Sequence, residues 1–482
     1  MFTWDSVRSV WEQIRSGRRV EFSRGMWMLL VGLLLAFVLI IEVVARVNHI
    51  RGPLSLLATD LVGRPTIGEI KIAGMLLTLV CLPARLRLPV LASTVALELV
   101  WNLQRVAVGD NGTIGNGILF VLLGTAAFAG WRLRGRERAS TLKAVGLGLL
   151  LIVMGRVGDV GLVLSTRANP AVFDEYVELA DRALGSPSWA IGSVVSQTEW
   201  LTAVLREVYV FLPVAAAVIA FFQLRHSARD GFPRHHIVRT FLLIGMIGPV
   251  VYFLFPVVGP TYAFGNEVIG AGWQNVWPMQ LPIIGDPSAP LFDQTVARNC
   301  MPSLHTAWAM CIFLHGWRGP LASKIFGTAW LAGTTGATLG FGFHYAIDVL
   351  AGVIFTLTLE AALTRPELGW SRHRVSVIAF GVVTFSSMLL ATRFLSVDIA
   401  ASGAVGGFVL IGGVLVMVGA FLTIELHPAV QEIPVDVAPP APRDPGVLAK
   451  RTAAATAAAK TWAAETMDSV NRELKKTDST KL

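Results

Sequence analysis

Three residues in this largely apolar chain have the types and spacing to do chemistry: His305, His344 and Asp348. His344 and Asp348 are four residues apart and share one helical face. A carboxylate one turn from an imidazole can accept its N–H, fix the tautomer and make the other nitrogen a better nucleophile. His305 follows Pro302-Ser303-Leu304. Proline suits the first turn of a helix, whose free N–H groups can hold an anion. The 39 residues from His305 to His344 suffice for one span in, a turn at Arg318–Lys324 and one span back. Both histidines then return to one surface. A nucleophilic histidine, an acid/base histidine and an anion-binding helix start make a phosphoryl-transfer site. Ionisable residues at membrane depth are costly and default to function. Single histidines such as His315 and His373 read instead as tolerated polar groups.

Composition says which elements must position these groups. Of 482 residues, 54% are hydrophobic and 15% charged, against about a quarter charged in an average globular domain. Runs such as Met26 to Val47 and Gly403 to Ile424 reach membrane-spanning length. A soluble enzyme and a disordered scaffold are both excluded. The expected fold is an all-α polytopic membrane protein with ten to twelve transmembrane helices. The expected spans are 26–47, 70–84, 89–104, 116–131, 144–164, 201–223, 237–257, 303–317, 323–341, 345–363, 375–393 and 403–424. The second and third are short and could form one re-entrant pair. Residues 1–25 place Trp4, Val7, Trp11 and Ile14 on one face, which predicts an interfacial amphipathic helix. The first span lacks a small-residue cleavage site and reads as a retained anchor. The tail at 428–482 is Pro- and Ala-rich.

Loop charge sets the orientation. With the N-terminus inside, the inner segments hold 21 basic residues and the outer ones six: Arg51, Arg64, Arg105, Arg167, Arg182 and Arg298. The net charge of +8 is thus topological rather than a nucleic-acid stripe. Both termini are expected in the cytoplasm and the histidines outside it, in a bacterial plasma membrane. The outer segments 165–200 and 258–302 are long enough to act as lids. Cys81, Cys300 and Cys311 have no CxxC spacing, so no thiolate metal site or disulfide framework is expected.

Pro302-Ser303-Leu304-His305 and His344-Tyr-Ala-Ile-Asp348-Val-Leu-Ala-Gly resemble the second and third signature motifs of the phosphatidic acid phosphatase superfamily of membrane lipid phosphatases and phosphotransferases. The resemblance implies a six-helix catalytic core at 144–363, with extra spans at 26–131 and 375–424. It implies that His344 attacks phosphorus, Asp348 orients it, His305 protonates the leaving group and Ser303 contributes to the phosphate cradle. It also implies no metal and no cofactor. The first motif, Lys-x6-Arg-Pro, is altered: Tyr252 and Gly259 stand where its Lys and Arg would be, before Pro260 and Tyr262. Tyr262 joins the phosphate-binding candidates. Ala337-Thr338 replaces the Ser-Arg pair before the third motif. Both changes resemble the branch of inositol phosphorylceramide synthase and sphingomyelin synthase, which passes a phospho-headgroup to an alcohol.

The phosphate is left short of cations. Arg298 is the first candidate, seven positions before His305, then Arg206 beside Glu207, then Arg156 with Asp159. The expected function is a lipid phosphotransferase using a lipid-linked phosphate donor and a hydroxyl acceptor, with lipid or polyprenyl phosphate hydrolysis as the alternative. A transporter would place its site at the midplane. A polyprenyl-linked glycosyltransferase, with Asp60 or Glu69 as base, would leave the histidines idle. The sequence also presents Cys300 as a thiol for an impermeant maleimide, labelled in intact cells if the site faces outward.

Overall fold

The computed structural model describes residues 24–265 and 281–426, together with Glu12. The amphipathic helix expected at the N-terminus, part of the 258–302 segment and the tail lie outside the described residues. Among the described residues the fold is helical, with one isolated bridge between Ala171 and Leu291. The helices are α1 (Arg24–Val47), α2 (Pro53–Val62), α3 (Gly68–Cys81), α4 (Ala84–Ala107), α5 (Asn116–Arg132), α6 (Gly135–Ala168), α7 (Asp174–Arg182), α8 (Pro187–Ser196), α9 (Glu199–Val210) and α10 (Leu212–Leu224). Then come α11 (Ser227–Asp230), α12 (Ile237–Leu254), α13 (Pro260–Phe264), α14 (Leu304–Trp317), α15 (Leu321–Gly340), α16 (Ala346–Leu363), α17 (Arg372–Phe394), α18 (Ser396–Ala401) and α19 (Ala404–Glu425). Helix is the expected solution in lipid, because it satisfies every backbone group within one segment.

Among the described residues, six helices are long and apolar enough to cross a membrane: α4, α6, α12, α16, α17 and α19. This is the pattern of an integral membrane protein. α9 and α10 form a seventh span if taken together, bent by 60° at a break where Pro213 opens α10. The region expected as a short span at 89–104 is longer, because the helix begins at Ala84 and carries Pro89 in its second turn. Helix α14 has only 14 residues, about 21 Å of rise. It packs against α15, α16 and α12, while α6 lies against α3 and α12. Gly352 makes the α14–α16 contact: a Cβ there would sit 2.6 Å from the carbonyl of Ser303.

The 165–200 segment is not a plain connector. It folds into α7 and α8, with Asp174, Glu178 and Asp181 buried. Asp60, a rival catalytic base in the sequence, is also buried. It accepts two hydrogen bonds from Arg156, at 2.7 and 2.6 Å, and pairs with Lys71 at 3.2 Å. Arg156 also reaches Asp159 at 2.8 Å. These charges tie α2, α3 and α6 together. Asp60→Ala would strand two buried cations, and breaking such a pair typically costs about 3–5 kcal/mol. Loss of folded protein on size-exclusion chromatography is therefore expected, whereas a catalytic base would be lost without harm to the fold.

Cys300 is buried, with 1% of its surface exposed, and cannot serve as the thiol probe of sidedness. Exposed positions can. Asp286→Cys should react with an impermeant maleimide in intact cells, and Arg138→Cys only after permeabilisation. The reverse pattern would invert the orientation.

Candidate active site

Helix α16 begins where the chain leaves a tight loop at Phe341–Tyr345. His344 is the residue before the N-cap Tyr345, and Asp348 is the third helical residue. Asp348 Oδ2 accepts the backbone N–H of Tyr345 at 2.8 Å, so the carboxylate closes the start of its own helix. The spacing of His344 and Asp348 is therefore a capping geometry. His344 Nδ1 lies 3.6 Å from Asp348 Oδ2 but 2.8 Å from the carbonyl oxygen of Cys300. Only the shorter contact is within hydrogen-bond range. Cys300 Sγ donates to Asp348 Oδ2 at 2.7 Å. With Nδ1–H committed to a carbonyl, Nε2 is the nitrogen that keeps a lone pair.

Helix α14 brings the second histidine. Its N-cap is Ser303, whose hydroxyl accepts the Thr306 N–H at 3.3 Å, so Pro302 lies before the helix rather than in its first turn. The Ser303 N–H is bound by the Asp348 carbonyl at 3.1 Å. His305 stacks on Tyr209 of α9, with ring centroids 3.8 Å apart at 18°, and meets the edge of Trp308. The His305 and His344 rings are 6.5 Å apart. An attack distance of about 3–3.5 Å and a proton-transfer contact of about 2.6–3.2 Å leave room for one phosphoryl group between them.

The four groups expected to hold phosphate fare differently. Arg298 is fully buried, and each of its five N–H bonds is directed at a backbone carbonyl: Asn169, Asp293, Val296, Pro170 and Phe292. It is a rivet between the end of α6 and the outer loop, with no donor left for a ligand. Arg156, the third cation considered, is consumed by Asp60 and Asp159. Arg206 lies on the exposed side of α9 and pairs with Glu207 at 3.0 Å, one turn before Tyr209. Tyr262 stacks on Phe343, the residue before His344, at 6.1 Å and 14°. Ser303 is buried as a helix cap. Among the described residues no lysine or arginine pairs with His305, His344 or Asp348.

The altered first motif has a steric reason. Gly259 has φ +101°, and a Cβ on it would lie 2.3 Å from the Phe343 carbonyl. An arginine cannot stand there in this fold. Tyr252 donates to the Pro302 carbonyl at 3.2 Å. The Thr338 carbonyl, where the family carries arginine, accepts from Phe343 and His344.

Several supporting residues were missed by sequence reasoning. Asp174 on α7 accepts from Val258 N–H, Gly259 N–H and Tyr345 Oη, at 3.0, 2.8 and 3.0 Å. Asp181 accepts from Ile347 N–H at 2.9 Å, capping α16 from a neighbouring helix. Ser188 Oγ donates to the His344 carbonyl. Burial pushes the carboxyl of Asp174 up to about 6 despite its three hydrogen bonds, and that of Glu178 up to about 7. His315, read as a tolerated polar group, is buried at the opposite end of α14 with His235, Arg318 and Glu360.

The fold and site define a helical membrane protein with two histidines and an aspartate gathered at the start of two core helices. Residues 176–363 match the family model of the PAP2 superfamily, the phosphatidic acid phosphatase superfamily that the motifs resemble. That domain indicates a lipid phosphatase or phosphotransferase enzyme. Residues 25–164 match a domain of unknown function (DUF5933). No curated protein and no solved structure matches the chain.

Glu178 offers a test of the buried acids. Both its oxygens lack a hydrogen-bond partner, and Arg182 is 3.7 Å away. A carboxyl raised from 4.5 to about 7 binds its proton more tightly folded than unfolded. It therefore favours the fold fully below about pH 4.5, loses that contribution progressively as pH rises to about 7, and above that is a buried charge that destabilises the fold. Glu178→Gln should raise the melting temperature at pH 8 and shrink the stabilisation that wild type gains on acidification. An unchanged pH dependence in detergent would contradict this.

Proposed function

We propose that the protein is a membrane lipid phosphotransferase that moves a phosphate or phospho-headgroup from a lipid donor to a hydroxyl acceptor. The observation that carries the reading is the pair of rings 6.5 Å apart, one of them with Nδ1 held by a carbonyl. In the first step, Nε2 of His344 bonds to phosphorus as the P–O bond to the donor lipid breaks. His305 gives its proton to the departing oxygen. In the second step, the acceptor hydroxyl loses its proton to His305 and its oxygen bonds to phosphorus as the P–Nε2 bond breaks. The overall balance is phosphorylated lipid donor plus acceptor alcohol to donor alcohol plus phosphorylated acceptor, with the proton returned to His305.

Asp348 stabilises the phosphorylated imidazole by charge across 3.6 Å. The nearby aromatic groups support transfer over hydrolysis. Tyr209 stacks on His305, Phe343 packs on Tyr209 and Tyr262 stacks on Phe343, and exclusion of water by such groups would protect a phosphohistidine until an alcohol arrives. The missing cations of the first and third motifs fit the headgroup-transferring branch of inositol phosphorylceramide synthase. The loop-charge bias supports an extracytoplasmic site, cytoplasmic termini, and a catalytic core at 144–363 flanked by additional spans.

Purified protein given radiolabelled lipid donor should trap label on a histidine after an acid-free quench. His344→Ala should remove both label and turnover, a loss of at least about a thousandfold. His305→Ala should still label slowly from donors whose leaving group needs no proton. Product formation should depend on the alcohol supplied. Phosphate release indifferent to every alcohol would make the enzyme a phosphatase, and full activity of His344→Ala would sink the mechanism.

A further inference from the structure

We propose that Cys300 is a positioning residue for the nucleophile, fixing His344 through its carbonyl and Asp348 through its thiol. The inference rests on reading His344 as the nucleophile. Cys300 is the last residue of the outer loop before Met301-Pro302 and is anchored by its own N–H to the Val257 carbonyl at 3.0 Å. Its carbonyl oxygen is 2.8 Å from His344 Nδ1 and its Sγ is 2.7 Å from Asp348 Oδ2. Sγ also lies 3.2 Å from the Phe343 carbonyl and 3.5 Å from His344 Nδ1. One residue thus sits between the two members of the pair, whose direct contact is too long for a hydrogen bond.

Two consequences follow from that position. Tyr345 N–H and the thiol together hold Oδ2, which fixes the carboxylate beside the imidazole. The carbonyl fixes the ring, so that phosphorus is met by Nε2. Cys300 itself stays a thiol, because burial, followed by the neighbouring charges of Asp348 and Asp174, pushes it well above its ordinary value. It therefore serves as a hydrogen-bond donor and has no nucleophilic part. A side-chain substitution removes the thiol arm and leaves the carbonyl arm.

The test needs no knowledge of the lipid. Orthovanadate takes up the Nε2 lone pair, passing from four to five coordination with no leaving group, and so reports on nucleophile geometry. Inorganic phosphate binds the same place without a bond to nitrogen. Full-length protein in detergent is titrated with each anion, read by tryptophan fluorescence, since Trp308 touches His305. Cys300→Ala should weaken vanadate about tenfold or more while phosphate affinity stays unchanged. Cys300→Ser, which keeps a donor, should recover vanadate binding to within about threefold of wild type. Wild-type vanadate binding in Cys300→Ala overturns the proposal, as does equal loss of both anions or failure of serine to rescue. His344→Ala is measured alongside. If it or the wild type shows that vanadate does not depend on His344, the nucleophile reading fails and this proposal with it. If His344→Ala loses vanadate while Cys300→Ala does not, only the role of Cys300 is lost.

Discussion

A helix that starts inside a packed, largely apolar core must find acceptors for its first N–H groups, and at α16 this requirement shapes the whole candidate site. Asp348 takes the Tyr345 N–H and Asp181 takes that of Ile347. An unsatisfied donor at this depth would cost on the order of several kcal/mol. The carboxylate beside the imidazole is therefore fixed by the backbone before any substrate is present. His344 inherits its place from the same constraint, as the residue immediately outside the cap. The geometry of the candidate site and helix termination are here one piece of structure, and each makes the other rigid.

The neighbouring elements serve that start. Helix α7 contributes a face of carboxylates at positions 174, 178 and 181, two of which bind backbone N–H groups of the site loops. Arg298 gathers five carbonyls and so pins the loop that delivers Cys300. Gly259 and Gly352 permit backbone approaches that any side chain would block. At the far end of α14 and α16, Glu360 collects His235, His315, Arg318 and Thr240. That cluster pairs Glu360 with Arg318 and holds together the ends of α14 and α16 remote from His344. The two ends of these helices thus use ionisable groups differently: the Glu360 end pairs them, and the His344 end leaves an imidazole nitrogen available.

This division explains what the sequence could and could not reveal. The proximity of His305, His344 and Asp348 was legible because polar residues in apolar runs are few, although the spacing of His344 and Asp348 is that of a helix cap rather than of one helical face. The helical class was legible from hydrophobic run length alone. Arg298 was misread because a lone arginine in an outer loop carries no mark of what its guanidinium will bind. Asp174, Glu178 and Asp181 were missed because acidic residues at helical spacing ordinarily form a solvated face, and only tertiary packing buries them. Cys300 looked isolated because its partners are 43 to 48 positions away. Span lengths were misjudged where proline sits early in a helix, as at Pro89, or breaks one, as at Pro213.

The shortage of cations bears on what the site accepts. A phosphate monoester carries about 1.5 to 2 negative charges near neutral pH, whereas a phosphodiester carries one. Fixed lysines and arginines compensate the larger charge in most phosphoryl-transfer sites. Here Gly259 sterically excludes one such residue, Thr338 and Tyr252 use their positions for backbone contacts, and Arg298 is saturated. Among the described residues Arg206 is the cation nearest in the chain to a residue touching His305, and it already shares its charge with Glu207. In the proposed mechanism a diester needs little further neutralisation as it reaches phosphorus–nitrogen bond formation, since His305 would protonate the departing alkoxide rather than a cation holding it. The charge economy of the site therefore supports a lipid-linked phospho-headgroup as donor over a lipid monophosphate.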